Sequence, residues 1–213
     1  RLDPVAEIER SEVIIRLMAL LDLQGVGPAN VNRLRALAGS TPRLVMAIER
    51  VEPLRVLAFR WLDPPFTTVM LLEPGAVGDL AYTWVDRDAI AWDAARAVMA
   101  SEDQRFLEHH GIDFVSLDRA IAEYRDGDGL RGASTITQHV AKNLFLWQGR
   151  SFARKALEAY LALLLEIAWS KERILEVYLN IAELGPGLYG VPAASRVYFG
   201  KPASEISDAE AAL

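Results

Sequence analysis

Four short stretches of this chain hold residues whose types and spacing suit chemistry or its support. The first is Ser101-Glu102-Asp103-Gln104-Arg105-Phe106-Leu107-Glu108-His109-His110-Gly111, directly behind the apolar Ala97-Val98-Met99. A hydrophobic helix there ends in acids and histidines before a glycine stop. A carboxylate at the edge of an apolar wall has its pKa raised by desolvation, which suits Glu102 to general acid or base work. An ordinary charged helix end has the same pattern. The second is Gly132-Ala133-Ser134-Thr135-Ile136-Thr137-Gln138-His139-Val140-Ala141-Lys142-Asn143. It predicts a helix capped by Ser134 or Thr135, with Gln138 and Lys142 on one face. Glycine, hydroxyls, an amide and a cation at a helix start make a candidate phosphate site, because the first backbone N–H groups point at an incoming anion. A capped amphipathic helix with a solvated face is the alternative. The third, Arg150 to Glu158, leads three cations (Arg150, Arg154 and Lys155) into one acid, Glu158, ahead of a nearly uncharged run from Ala159 to Leu165. Its plain reading is an i,i+4 salt bridge between Arg154 and Glu158. The fourth, Lys171 to Asn180, spaces Ile174, Leu175, Tyr178 and Leu179 as the core face of a helix.

These stretches need elements to hold them. The pattern predicts helices over Ile8 to Asp22, Ala29 to Ala38, Arg43 to Ala58, Ala91 to His109, Phe114 to Tyr124, Ser134 to Phe145, Phe152 to Ala168, Lys171 to Tyr178 and Val191 to Tyr198. Gly39 to Pro42, Asp63-Pro64-Pro65 and Glu73-Pro74-Gly75 are stops. Thr67 to Leu72 reads as a short extended segment. The loop Tyr124 to Gly132 carries Gly127, Gly129 and Gly132 and is expected to move.

The whole chain has 213 residues, enough for one or two domains with a substantial core. It contains no cysteine, which excludes a disulfide framework, thiolate metal sites and a cysteine nucleophile. A net charge of −6 argues against a chain that binds nucleic acid by bulk electrostatics. Residues 1–55 hold eight Arg against seven acids, so the acidity lies in the remainder. Hydrophobic residues make up 52%, which excludes intrinsic disorder and allows a protein that works beside a membrane. No run approaches the ~18 apolar residues that span a bilayer, and no signal-peptide pattern is present. The opening residue is Arg1. The expectation is a fragment, from which an anchor could have been removed.

Taken in order, the strings are more specific than any one of them. Glu102-Asp103-x-x-Phe106-x-x-His109-x-Gly111, Gly132-x-Ser134-Thr135-x-Thr137-Gln138, Lys142-Asn143, Arg154-Lys155-x-x-Glu158 and Lys171-x-x-Ile174-Leu175-Glu176-x-Tyr178-Leu179-Asn180 resemble the family 51 glycosyltransferases, the peptidoglycan glycosyltransferases of bacterial cell walls. Asp63 to Met70, Asn143 to Trp147, Gly149-Arg150-Ser151 and Tyr198 to Ala203 are similar to the monofunctional biosynthetic members. The resemblance covers roughly 55–213. It departs at His139, where the family usually has a second Gln, and at Leu213, where the family continues. Residues 1–54 resemble instead a helix-hairpin-helix through Leu23-x-Gly25-Val26-Gly27-Pro28. The expected organisation is therefore a helical hairpin over 1–54 and a C-terminally truncated glycosyltransferase domain over 55–213.

The resemblance implies a mainly α fold, a lysozyme-like lobe with a smaller membrane-facing lobe. It implies inverting polymerisation of lipid II, with the growing glycan as donor and undecaprenyl pyrophosphate as leaving group. Glu102 would be the general base, and Glu158 the second acid, orienting cations at the leaving group. Asp103, Phe106, His109, Gly132, Ser134, Thr135, Gln138, His139, Lys142, Asn143, Arg150, Arg154 and Lys155 would line the substrate site, with Asp103 and His109 shaping the first loop. No resident metal is required, although Mg2+ or Mn2+ could assist the pyrophosphate. The implied place is the periplasmic face of the inner membrane, with cell-wall synthesis proteins as further partners. Apolar residues at Phe66 to Leu72 and Phe145 to Trp147 are the expected membrane-resting face. A lytic muramidase-like enzyme using Glu102 as acid, or a helix-hairpin-helix DNA-binding protein, are the competing readings; nucleic acid is the less expected partner.

Overall fold

The structure, a computed structural model, describes residues 55–72, 80–126, 132–147 and 152–212. The helical hairpin expected over 1–54, and Arg150, lie outside the described residues. The remainder is mainly helical, as expected. In chain order the longer elements are helices α1 (Thr68–Leu72), α2 (Trp92–Glu102), α3 (Phe114–Asp126), α4 (Ile136–Phe145), α5 (Phe152–Ala168), α6 (Lys171–Ile181), α7 (Val191–Phe199) and α8 (Asp208–Ala211). Three short strands, β1 (Ala81–Tyr82), β2 (Glu183–Gly185) and β3 (Leu188–Tyr189), form a sheet in the order β1-β3-β2. β1 runs parallel to β3 with Ala81 opposite Leu188, and β2 runs antiparallel with Glu183 opposite Tyr189.

The core forms where α4 packs against both α5 and α6. Ile136, Val140 and Leu144 of α4, Leu161 and Leu165 of α5, and Ile174, Val177 and Ile181 of α6 are fully buried. Each set repeats at three- or four-residue spacing, so each helix puts one apolar stripe inward. Asn180 is also fully buried, because its side chain is satisfied on all sides. Its Oδ1 accepts from Val85 N–H at 3.0 Å, and its Nδ2 donates to the Val85 and Glu176 carbonyls. Gly190, at φ +82°, lies so close to the Asn180 carbonyl that any Cβ would collide with it.

A strap leads into this core. Arg173 of α6 donates to the carbonyls of Phe59 and Leu62 and pairs with Asp63 at 3.1 Å, while its guanidinium lies over the Trp84 ring. Trp169 donates its indole N–H to Val56 O at 2.7 Å, and Arg55 donates to Leu144 O at 2.9 Å.

Two elements differ from the sequence expectation. Thr67 to Leu72 contains a helix rather than an extended segment, because Thr67 Oγ1 accepts from Met70 N–H at 3.1 Å and starts the turn. Thr68 then donates to Leu144 O, and Val69 and Met70 are buried against Tyr189. The helix expected over Ala91 to His109 stops at Glu102. Asp103 leaves helical geometry because its carboxylate is held by groups further along the chain.

Candidate active site

Glu102 is the last residue of α2, and the following loop, 103–112, folds under it. His109 Nε2 lies 2.9 Å from each carboxylate oxygen of Asp103 and donates to them. Asp103 Oδ2 also accepts the Ile136 backbone N–H, at 3.1 Å, the first residue of α4. An anion at a helix N-terminus is favoured by the unpaired N–H groups and by the helix dipole. Asp103 thereby ties α2 to α4 across 33 residues of sequence. Thr135 is the N-cap: its Oγ1 accepts from Gln138 N–H, and Gln138 Oε1 accepts from Thr135 N–H at 3.1 Å. The Thr135 hydroxyl donates to Gly111 O at 2.6 Å. Gly111 sits at φ +85°, with Ala162 O and the Glu166 side chain 3.2 Å from where a Cβ would stand. Only glycine meets both conditions without strain.

This arrangement narrows what the start of α4 offers an anion. Of the first N–H groups of α4, that of Ile136 is taken by Asp103, that of Gln138 by the Thr135 hydroxyl and that of His139 by the Thr135 carbonyl. Ser134 is not the cap; its hydroxyl accepts from Lys155 Nζ at 2.8 Å.

The remaining residues divide by exposure. Phe106, Asp103, His109, Thr135, Gln138 and Asn143 are all buried. Phe106 lies under the Lys171 ammonium, 4.4 Å from the ring centroid, and edge-on to His109. Lys171 pairs with Glu166 at 2.8 Å, and Glu166 accepts from Thr137. Asn143 donates to Ile181 O. These groups hold the 103–112 loop and the α4–α6 contact together. Glu102, Gly132, Ser134, His139, Lys142, Arg154 and Lys155 reach solvent to differing degrees. The Glu102 side chain is 42% exposed, so the apolar Ala97 to Met99 wall does not enclose it. It borders a cavity of about 150 Å³, open to solvent, with Arg105, Arg119, Glu123, Gly132 and Ser134.

Glu158 is in the opposite environment. It is 3% exposed, and Arg154 Nη1 at 2.8 Å and the Lys155 ammonium both donate to its carboxylate. The expected i,i+4 pair is therefore present, with a second cation beside it. Lys142 joins this group. Burial pushes its ammonium below the usual lysine value, Arg154 and Lys155 add to that shift, and Glu158 and Glu183 oppose it. His139 stands between the two acids. Its Nε2 is 3.8 Å from Glu102 Oε2, and its ring is edge-on to Tyr178. Its position against Glu102 depends on how α2 meets α4, and no spacing in the sequence signals it. Among the described residues, no three His, Asp or Glu side chains are grouped to hold a metal ion.

Residues 75–213 match the family model described as Transglycosylase. A biosynthetic peptidoglycan transglycosylase of Marinomonas sp. is 56% identical over 154 residues, covering 72% of this chain and 67% of that protein. One of Aeromonas hydrophila is 43% identical over 183 residues, covering 84% and 78%. One of Xanthomonas campestris is 48% identical over 166 residues, covering 75% and 68%. The aligned region holds the loop tied by Asp103, the capped α4 and the cation-covered Glu158, and on this match the chain belongs to the transglycosylase family.

Proposed function

We propose that this chain is a peptidoglycan glycosyltransferase that polymerises lipid II, with Glu102 as general base. The observation that carries the reading is the contrast between its two acids. Glu102 is exposed at a helix end beside an open cavity, with no Lys or Arg among the described residues paired to it, whereas Glu158 is buried under Arg154 and Lys155. Two carboxylates in such different surroundings suit two different roles.

Glu102 takes the proton from the acceptor 4-hydroxyl as that oxygen attacks C1 of the donor sugar. Attack opposite the leaving group turns an α linkage into β, so one base suffices and no covalent intermediate forms. Undecaprenyl pyrophosphate departs as an anion and needs cations already aimed at it. Lys142, Arg154 and Lys155 supply them, and Glu158 holds the last two in place. The Ser134 hydroxyl, bonded to Lys155, adds a neutral donor. A divalent cation such as Mg2+ or Mn2+ would supply further positive charge for the departing pyrophosphate, beside Lys142, Arg154 and Lys155.

The substrate is a lipid, so the enzyme rests on a membrane. Phe145 and Leu146, expected on that face, are core residues, as are Val69 and Met70; of those named positions Phe66 is clearly exposed. The exposed apolar stripe nearest the cavity is on α3: Phe114, Val115, Leu117 and Ile121. We assign the membrane-resting face to it, at the periplasmic side of the inner membrane. No helix among the described residues is long and apolar enough to cross a membrane.

The relatives are named for biosynthesis, and nothing in the site favours glycan cleavage or DNA binding. The test is Glu102→Gln in a lipid II polymerisation assay. The expected loss is ~10²–10⁴ in rate with an unchanged unfolding temperature. A variant that keeps most of its turnover refutes the assignment, and release of muropeptides from sacculi by the unaltered protein would favour the cutting reaction.

A further inference from the structure

We propose that His139 is the second half of the base: its Nε2 receives from Glu102 the proton that Glu102 takes from the acceptor hydroxyl. This rests on Glu102 being the base. The two groups come from different helices, α2 and α4, and meet at 3.8 Å between Nε2 and Oε2. That is about 1 Å longer than a hydrogen bond, and catalytic hydrogen bonds commonly tighten only when substrate binds. Glu102 is exposed and can swing, whereas the His139 ring is steadied edge-on to Tyr178, with centroids 6.2 Å apart and an interplanar angle of 87°.

The surroundings keep the ring able to accept. His139 faces Lys142 on its own helix, Lys155 and Glu158 on α5, Glu102 on α2 and Tyr178 on α6. Burial and the two lysines push its pKa below the usual histidine value, and the two carboxylates pull the other way without reversing the shift. At neutral pH the ring is therefore uncharged. In the tautomer with hydrogen on Nδ1, its Nε2 lone pair points a vacant acceptor at Glu102. Burial and the Glu102 charge push the Tyr178 hydroxyl upward, so it stays protonated and does not compete as an acceptor. An imidazole is ordinarily a stronger base than a carboxylate by about two pKa units, which favours transfer toward a ring, and the lowered His139 pKa narrows that margin.

The step balances. The acceptor O–H bond breaks, its electron pair forms the new bond to C1, and the C1–O pair leaves with the pyrophosphate. The proton passes to Glu102 and then to Nε2, which returns Glu102 to a carboxylate while the substrate still covers it. The imidazolium then loses a proton to water. The role is one that the amide of a Gln, with no basic lone pair, cannot fill.

The sign follows from which form works. The neutral ring accepts, so the contribution is present at neutral pH and is lost as pH falls through the lowered His139 pKa. The experiment is the pH–rate profile of lipid II polymerisation, pH 5 to 8.5, for the full chain and for His139→Gln. The expected result is a roughly tenfold fall in plateau turnover, smaller than that of Glu102→Gln, and an acid limb displaced to lower pH because the imidazole titration has left it. A rate lowered by one factor at every pH, or not lowered, overturns the proposal. A second readout is independent of activity. The chain has only three histidines, so the His139 ring can be followed by NMR. In Glu102→Gln its titration should move to lower pH, since the carboxylate that raises it is gone; coincident titrations overturn the proposal. If Glu102→Gln itself turns over normally, the base assignment fails first. If that variant is dead and the His139→Gln limb is unmoved, only the role of His139 fails.

Discussion

Replacing Asp103 with Ala would remove one carboxylate and strand two buried donors. Ile136 N–H at 3.1 Å and His109 Nε2 at 2.9 Å both lose their acceptor, and neither is open to water. A hydrogen bond to a charged group contributes ~1.5–3 kcal/mol, and losing the acceptor leaves each donor with its desolvation cost. The anion at the start of α4 adds ~0.3–1 kcal/mol through the helix dipole. Together the loss is about 3–7 kcal/mol. At ~2–4 °C per kcal/mol for a domain of this size, the unfolding temperature should fall by roughly 6–28 °C. Asp103→Asn keeps an oxygen for Ile136 and can turn its amide toward the imidazole in its other tautomer, so its cost should be about 1–2 kcal/mol. The assay is thermal unfolding of all three proteins, with hydrogen exchange at the Ile136 amide as the local readout. That amide should exchange faster in the Ala variant beyond what the global loss explains. An Ala variant within 1 kcal/mol of the unaltered protein, or an Ile136 amide with unchanged relative protection, would refute the idea that Asp103 ties α2 to α4.

Lys142→Ala should weaken use of the pyrophosphate-linked substrate by ~10-fold or more while moving stability by less than about 1 kcal/mol, since the lysine is half-buried among like charges; steady-state kinetics beside thermal unfolding separate the two, and unchanged kinetics would return the residue to a packing role. Leu117→Glu with Ile121→Glu on α3 should cut association with anionic lipid vesicles by at least ~10-fold with unfolding temperature held, because both side chains are more than a third exposed; equal flotation of variant and parent would remove the membrane face from α3.

The longer helices were legible because each carries its own signal. Phe152–Ala168 has the bounds its periodicity predicts, and α6 runs three residues past the expected Tyr178 because Ile181 continues the buried stripe of Ile174 and Val177. Thr67 to Leu72 was not legible: Thr-Thr-Val favours a strand by propensity, and the partners that make it a helix, Leu144 and Tyr189, lie far along the chain. The strands are two or three residues long, too short to show a period. The site divides in the same way. The Arg154–Glu158 pair is i,i+4 and can be read from one helix. The filling of the α4 N-terminus by Asp103 spans 33 residues, and the meeting of His139 with Glu102 depends on how two helices pack. Local spacing cannot report either.

The strap ahead of α1 also has a mechanical meaning. Tension on the backbone just upstream of residue 55 would be borne at Leu144 through Arg55, at Trp169 through Val56, and at Arg173 through Phe59, Leu62 and Asp63. Those anchor points belong to the ends of α4, α5 and α6, and several bonds share the load, Arg173 contributing three N–H groups of its guanidinium. None of them lies in the 103–112 loop. A chain tugged from its upstream side would therefore pass the force into the helical core, and the loop that follows Glu102 would keep its shape.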